Sequence, residues 1–203
     1  TSLVGRDREL DAVSALLATD AVRLVTLTGP GGVGKTRLAV SVARRLKGTF
    51  ADGIGFASLA AISDTGLVAS AIADALGVRV GHSVGPQQAL ERELRTRKVL
   101  LVLDNFEHVL AAGPLVASLL AAAPGLTVLA TSRVLLRLRG ERQIPVQPLQ
   151  VPSADRSPAL SDAATASAVQ LFVARAQDVR PDFTLDQRNV RAVVEICRRL
   201  DGL

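Results

Sequence analysis

Apolar residues recur along the chain in two alternating patterns, one typical of buried strands and the other of amphipathic helices. The strand pattern is a short apolar run such as Val99–Leu103 (VLLVL), as expected for parallel strands buried on both faces. The helical pattern spaces apolar residues by about one turn, as with Leu38, Val42 and Leu46. Because the two patterns alternate, we predict an α/β fold with a parallel sheet and right-handed crossovers. The predicted strands are Val22–Thr28, Gly53–Leu59, Val99–Leu103, Thr127–Thr131 and Gln143–Val146, and the predicted helices are Asp7–Thr19, Lys35–Leu46, Asp64–Leu76, Pro86–Thr96 and Val109–Ala122.

The pattern changes near residue 145. Prolines at positions 145, 148, 152 and 158 mark an extended linker. We therefore predict a main α/β domain at residues 1–148, a Pro-rich linker at 149–160 and the truncated start of a small helical subdomain at 161–203. Two amphipathic helices are predicted in that subdomain, and their apolar faces carry Val169, Phe172, Val173 and Ala176 in the first and Val190, Val193, Val194 and Cys197 in the second.

Composition limits the classes of protein to which the chain can belong. The 203 residues are 48% hydrophobic and only 2% aromatic, so the expected core consists of Leu, Val, Ile and Ala, and stacking on single-stranded nucleic acid is disfavoured. The formal charge of +5 is spread along the chain, as on a solvated surface. One cysteine excludes an internal disulfide, and no apolar stretch reaches the roughly 18–20 residues that span a bilayer. We expect a cytoplasmic protein without membrane contact, and the absence of Met leads us to expect a fragment of a longer chain.

One glycine-rich segment carries the strongest chemical signal. Gly29–Thr36 (GPGGVGKT) fits the pattern G-x-x-x-x-G-K-[ST] between a predicted strand and a predicted helix. Glycines let backbone N–H groups turn inward around phosphates, and the helix start places its positive dipole end there. Lys35 is expected to reach the β- and γ-phosphates and Thr36 to coordinate Mg²⁺; a mere glycine-rich turn is the alternative. The residues expected to bind a nucleotide here are Gly29, Gly31, Gly32, Val33, Gly34, Lys35, Thr36 and Arg37.

Asp104 is the expected second protein ligand of the metal ion, together with Thr36. It directly follows the predicted strand Val99–Leu103, and strand ends point toward the ligand crevice in open α/β sheets. The alternative is a turn or helix-capping aspartate. The next residue, Asn105, can orient a water but is a poor proton acceptor, so we predict slow hydrolysis. Glu107 can activate the attacking water in its place only if the turn after Asp104 brings its side chain to the site. Otherwise Glu107 is a surface or helix-capping residue.

Arg133 comes at the end of the predicted strand Thr127–Thr131 and therefore faces the same crevice. A guanidinium in that place can stabilise the charge of a γ-phosphate. The candidate catalytic residues are accordingly Lys35, Asp104, Asn105 and Arg133.

Five ordered segments together resemble the NB-ARC branch of the STAND signal-transduction ATPases, particularly that of bacterial transcriptional activators of the AfsR and LuxR-related groups. The resemblance covers nearly the whole chain, and its segments follow the family's order. It implies that the strand Val128–Thr131 lies between the strands Val22–Thr28 and Val99–Asp104. The segments are Leu3–Leu10 (LVGRDREL), Thr26–Ala39 (TLTGPGGVGKTRLA), Val99–Val109 (VLLVLDNFEHV), Val128–Arg133 (VLATSR) and Ile196–Leu203 (ICRRLDGL).

The resemblance also implies roles that the residue patterns leave unassigned. Val4, Gly5 and Arg6 would lie against the adenine, and Arg133 would act as a sensor of the γ-phosphate. Residues 161–203 would correspond to the start of the ARC1 helical subdomain. The family continues through a winged-helix subdomain, which would lie outside this chain.

The interpretation is an ATP/ADP-binding molecular switch of a larger signalling or transcriptional regulator, with slow or regulated ATP hydrolysis. The resemblance implies a closed monomer with ADP and an open, self-associating form with ATP. One alternative is a turnover ATPase or a kinase of another P-loop class, although no acceptor pocket or arginine-rich lid is recognisable. Another is a DNA-binding protein; since no helix-turn-helix is recognisable, DNA contact is assigned to a domain outside this chain.

Overall fold

The computed structural model describes residues 3–81, 84–152 and 159–203. The described chain divides into two units. The larger unit contains Arg8–Gly31 and Lys35–Val146, and the smaller contains the residues up to Asp7, Gly32–Gly34 and Gln147–Leu203. Within the described ranges, every helix is too short or too polar to span a bilayer.

A five-stranded sheet forms the centre of the larger unit. Every pairing between its strands is parallel, and the strand order is β2-β3-β4-β1-β5. The prediction of a parallel α/β sheet is therefore confirmed, and so is the placement of β4 between β1 and β3. The strands are β1 (Leu24–Thr28), β2 (Ile54–Ser58), β3 (Val99–Asp104), β4 (Leu126–Ser132) and β5 (Glu141–Pro145).

In the described part of this unit, one α-helix precedes β1, and four α-helices and three single-turn helices connect the strands. The predicted helix at 64–76 begins with a 3-10 turn at Thr65–Leu67, and the predicted helix at 109–122 begins with another at Leu110–Ala112. A third 3-10 turn, Phe106–His108, follows β3. The α-helices are α1 (Asp7–Leu17), α2 (Lys35–Arg45), α3 (Val68–Leu76), α4 (Pro86–Leu94) and α5 (Gly113–Ala122).

Both faces of the central strands are covered by helices. Every residue of β1, β3 and β4 is buried. On β3, Leu101 and Leu103 belong to one apolar cluster with residues of α3, α4 and α5. The alternating residues Leu100 and Val102 are also fully buried, and they point to the opposite face because successive strand residues alternate, the face on which α2 packs against β1, β3 and β4. The larger unit is thus a three-layer α/β sandwich with the parallel sheet in the middle.

The smaller unit buries its own helical core. It contains α6 (Leu160–Thr165), α7 (Ser167–Val179) and α8 (Val190–Arg199). The predicted apolar face of α8 is confirmed as core, and Val169 on α7 is also buried. The rings of Phe172 and Phe183 meet edge to face with centroids 6.2 Å apart. The lone cysteine, Cys197, is a free thiol in this core, and burial raises its pKa.

The structure adds one helix that the sequence patterns do not predict. α6 has six residues, which is too short for helical periodicity to stand out in a sequence. The predicted linker at 149–160 lies partly outside the described residues, because 153–158 are not described. The division of the chain at residues 148 and 160 stays a prediction.

Truncation of Leu101 tests the buried sheet. Leu101 is fully buried, whereas Leu67 is 55% exposed. We expect Leu101→Ala to lower the free energy of unfolding by about 2–5 kcal/mol, because it leaves a cavity. The matched change Leu67→Ala should cost within about 0.5 kcal/mol. Urea unfolding followed by circular dichroism measures both, and equal losses would contradict the buried position of Leu101.

Candidate functional site

The glycine-rich loop Gly29–Thr36 runs from the end of β1 to the first turn of α2. Its glycines are solvent-exposed, except that Gly29 is half-buried. Gly34 has a φ of +97°, and a Cβ added there would meet nothing within 4 Å. The glycine is therefore required by backbone conformation rather than by lack of space. The loop presents open backbone to solvent, as a phosphate-binding loop must.

Lys35 folds back along this loop. Its Nζ donates hydrogen bonds to the carbonyls of Gly29 at 2.8 Å and Pro30 at 2.9 Å. Burial lowers the pKa of the Lys35 ammonium, and the positive charge of Arg133 lowers it further. The negative charges of Glu107 and Asp104 act in the opposite direction, Glu107 more strongly, but they do not cancel the effect of burial. A buried cation held mainly by neutral carbonyls gains stabilisation from an arriving anion.

The predicted pair Thr36 and Asp104 is brought together. Asp104 ends β3 and is buried. Its Oδ1 accepts hydrogen bonds from Thr36 Oγ1 at 2.7 Å and from Thr131 Oγ1 at 2.6 Å. Thr131 is a site residue that sequence reasoning did not single out, although its place beside Arg133 at the end of β4 was an available signal. Three elements thus meet at one carboxylate oxygen.

The residues after Asp104 turn sharply. Asn105 has φ 60° and ψ 43°, the left-handed conformation, and its backbone N–H donates to Thr131 Oγ1 at 3.0 Å. The following 3-10 turn brings Glu107 back toward the sheet edge. The Glu107 side chain is only 12% exposed, and its Oε1 lies 3.3 Å from Arg133 Nε. Within the described residues, Glu107 Oε2 is buried and has no hydrogen-bond partner.

Arg133 lies close to the start of the loop. A Cβ added to Gly31 would lie 3.5 Å from Arg133 Nη2. The Arg133 side chain is 64% exposed, and its Nε contacts Glu107. The predicted set Lys35, Asp104 and Arg133 therefore converges at one edge of the sheet, where Glu107 joins it.

The N-terminal candidates belong to the smaller unit. Arg6 is buried and donates from Nη2 to the carbonyls of Val33 at 3.2 Å and Gln147 at 2.6 Å. Gly5 has a φ of +64°, and a Cβ there would collide with Ser167 Cβ, so the position leaves no room for a side chain. Val4 is half-buried. The adenine contact of these three residues stays a prediction, and Arg6 has a structural role that its sequence position did not reveal.

Arg37 lies in the first turn of α2 and is half-buried, and its carbonyl accepts a hydrogen bond from Ser41 Oγ at 2.9 Å. Its predicted part in nucleotide binding stays a prediction.

These features define the class of the protein. A glycine-rich loop between β1 and α2, an acidic residue at the end of β3 and the parallel order β2-β3-β4-β1-β5 are those of a P-loop NTPase domain. Residues 19–147 match the family described as an AAA domain, and the chain belongs to this family. Membership of the NB-ARC branch in particular stays a prediction.

Several longer bacterial proteins are similar in sequence. A protein of Mycobacterium tuberculosis that carries the name of an HTH-type transcriptional regulator is 44% identical over 190 residues, which is 93% of this chain and 20% of that protein. An uncharacterized protein of the same organism is 39% identical over 204 residues, covering 100% of this chain and 48% of its own length. Regulatory protein AfsR of Streptomyces coelicolor is 36% identical over 134 residues, 62% of this chain and 13% of AfsR. The chain spans about half or less of each of these relatives.

Two solved structures share the fold. Cdc6p from Pyrobaculum aerophilum has a TM-score of 0.59 at 16% identity, covering 88% of this chain and 51% of that chain. The ORC2 protein of Aeropyrum pernix has a TM-score of 0.58 at 14% identity, covering 100% of this chain and 72% of that chain. At such identities the likeness concerns the fold alone.

Replacing Thr131 by Val tests the hydrogen bonds that hold Asp104. The change removes a donor to a buried carboxylate, and we expect a loss of about 1.5–3 kcal/mol in the free energy of unfolding. Thr26, on the neighbouring strand, is the matched control. Its buried hydroxyl has no hydrogen-bond partner within the described residues, so Thr26→Val should be neutral or stabilising. Urea denaturation compares the two, and a neutral Thr131→Val would contradict the described hydrogen bonds.

Proposed function

We propose that the chain binds ATP and ADP with Mg²⁺ and acts as a nucleotide-dependent switch within a longer signalling or transcriptional regulator, with slow or regulated hydrolysis. The observation that carries the proposal is the convergence of Lys35 and Arg133 on the open loop beside the Thr36–Asp104 pair. Two cations, exposed backbone amides and a carboxylate are the groups that bind a polyphosphate and its metal ion.

The oxygen donors of the site fit Mg²⁺. Thr36 Oγ1 and Asp104 Oδ1 lie 2.7 Å apart, and hydroxyl and carboxylate oxygens are the ligands that this hard cation prefers. Among the described residues, no three His, Cys, Asp or Glu side chains form a metal-binding group. That is expected for Mg²⁺ held by one or two protein groups, since phosphate oxygens and waters complete its shell. When bound, the ion would neutralise phosphate charge.

ATP and ADP differ by the γ-phosphate, so a switch must contact that group differently in its two states. Lys35 and Arg133 are the cations placed to do so. The loop residue Val33 is joined through Arg6 to Gln147, the first residue of the C-terminal part of the smaller unit. We infer that a shift of Val33 on nucleotide binding is transmitted along these hydrogen bonds to the helical segment.

The role in a longer protein is supported by the relatives. One carries the name of an HTH-type transcriptional regulator and another is named a regulatory protein. The chain spans 20% and 13% of those proteins, so most of each lies beyond the matched region. We propose that DNA contact and ATP-dependent self-association belong to such a full-length protein, that the NB-ARC branch of STAND ATPases is its nearest class and that it acts in the cytoplasm.

Substitution of Lys35 tests nucleotide binding. Lys35→Ala removes a charged donor from the loop, and we expect affinity for ATP and ADP to fall by about tenfold or more. The control Lys47→Ala removes an exposed lysine and should leave both affinities within about twofold. Isothermal titration calorimetry with Mg²⁺ measures them. Unchanged affinity in folded Lys35→Ala protein would refute the proposed site.

Substitution of Arg133 tests discrimination between the two nucleotides. We expect Arg133→Ala to weaken ATP binding by about tenfold while ADP affinity changes by less than about threefold, because only ATP offers a γ-phosphate to the guanidinium. Arg137→Ala, four residues along the chain, is the control and should change neither. The ratio of the two dissociation constants is the readout, and an equal loss for ATP and ADP would contradict a γ-phosphate contact.

A further inference from the structure

Glu107 has an environment unusual for a residue of an exposed turn. Its side chain is 12% exposed, and Oε2 is buried without a hydrogen-bond partner among the described residues. A buried, uncompensated carboxylate oxygen is costly. A buried polar atom of this kind calls for an explanation, and a catalytic role is one.

The charges near Glu107 are those expected to meet the γ-phosphate. Arg133 Nε lies 3.3 Å from Oε1, and Glu107 is the largest single charge effect on the pKa of Lys35. Before any nucleotide binds, Glu107 is thus the ion-pair partner of Arg133, and together with Asp104 it partly balances the charge of Lys35. A triphosphate would bring a stronger anion to the same cations and compete with Glu107 for Arg133.

The backbone turn after Asp104 explains how Glu107 reaches this position. Asn105 adopts the left-handed conformation and its N–H is bonded to Thr131. That turn starts the 3-10 helix Phe106–His108 and carries Glu107 back toward Arg133. An amide such as Asn105 cannot accept a proton at neutral pH, whereas a carboxylate can.

We propose that Glu107 is the carboxylate that orients and deprotonates the water attacking the γ-phosphate, and that its ion pair with Arg133 restrains it until a γ-phosphate draws Arg133 away. This inference rests on the proposed binding of ATP. In the step, the water oxygen bonds to the γ-phosphorus, and the bond from that phosphorus to the β–γ bridging oxygen breaks. The bridging oxygen keeps the electron pair on ADP. The water proton passes to the Glu107 carboxylate and is then released to the phosphate product.

The test compares Glu107→Gln and Glu107→Asp with the wild-type chain. Glu93→Gln is the matched control, since Glu93 is also ion-paired to an arginine but lies on the exposed end of α4. We expect Glu107→Gln to form ADP about 100-fold more slowly in single-turnover assays, with partial activity in Glu107→Asp and wild-type rates in Glu93→Gln. Circular dichroism and thermal unfolding verify that each variant is folded.

The affinity of Glu107→Gln for ATP and ADP is a second readout, and it does not depend on hydrolysis. Without the Glu107 charge, Arg133 is released to the γ-phosphate, so Glu107→Gln should bind ATP several-fold more tightly while ADP affinity changes little. Calorimetry with Mg²⁺ measures both, and the purified variant should retain ATP rather than ADP.

The outcomes separate the two proposals. Wild-type protein that fails to bind ATP would overturn the proposed function itself. If the wild type binds ATP and Glu107→Gln hydrolyses it at the wild-type rate, only the role of Glu107 is overturned. The same holds if the wild type binds ATP but forms no ADP over a day. Weaker ATP binding by folded Glu107→Gln would overturn the restraint by Arg133.

Discussion

One buried carboxylate oxygen joins three elements that are distant in the sequence. Asp104 Oδ1 accepts hydrogen bonds from the hydroxyls of Thr36 on α2 and Thr131 on β4. A charge buried in the interior is tolerated only when hydrogen bonds compensate it, so these contacts fix the position of the loop's last residue relative to the sheet. The placement of Lys35 and of the turn after β3 depends on this junction. Because parallel strands end at one edge, it lies where a ligand can reach it.

Most of the larger unit could be predicted because its elements are long and its patterns regular. β3 is an apolar run up to its last residue, β4 is buried throughout, and α2 shows a single buried face. The strand order could not be predicted in this way, because the hydrophobic pattern does not show which parallel strands are neighbours. The position of β4 between β1 and β3 was predicted only through the family resemblance. α6 was missed because six residues carry too little periodicity. Tertiary packing, rather than local pattern, determines such short elements.

The candidate site could be predicted where a residue's chemical role follows from its spacing within a motif or from its place after a strand. Lys35 and Thr36 follow from the loop pattern, and Asp104 follows from its place after a strand. The position of Glu107 was not predictable, because it depends on a left-handed Asn105, a conformation that few non-glycine residues adopt. The hydrogen bonds of Arg6 to two distant backbone carbonyls were equally hidden, since no local pattern signals a long-range contact of that kind.

The sheltered thiol of Cys197 has a practical consequence for following this chain in solution. Burial raises its pKa, and since the thiolate is the reactive form, maleimide dyes should modify it slowly in the folded protein. It is also the sole cysteine of the 203 residues. Cysteines introduced at exposed positions can therefore be labelled selectively without first removing a native one, so donor and acceptor fluorophores can be attached to the two units and their separation recorded as nucleotide is added.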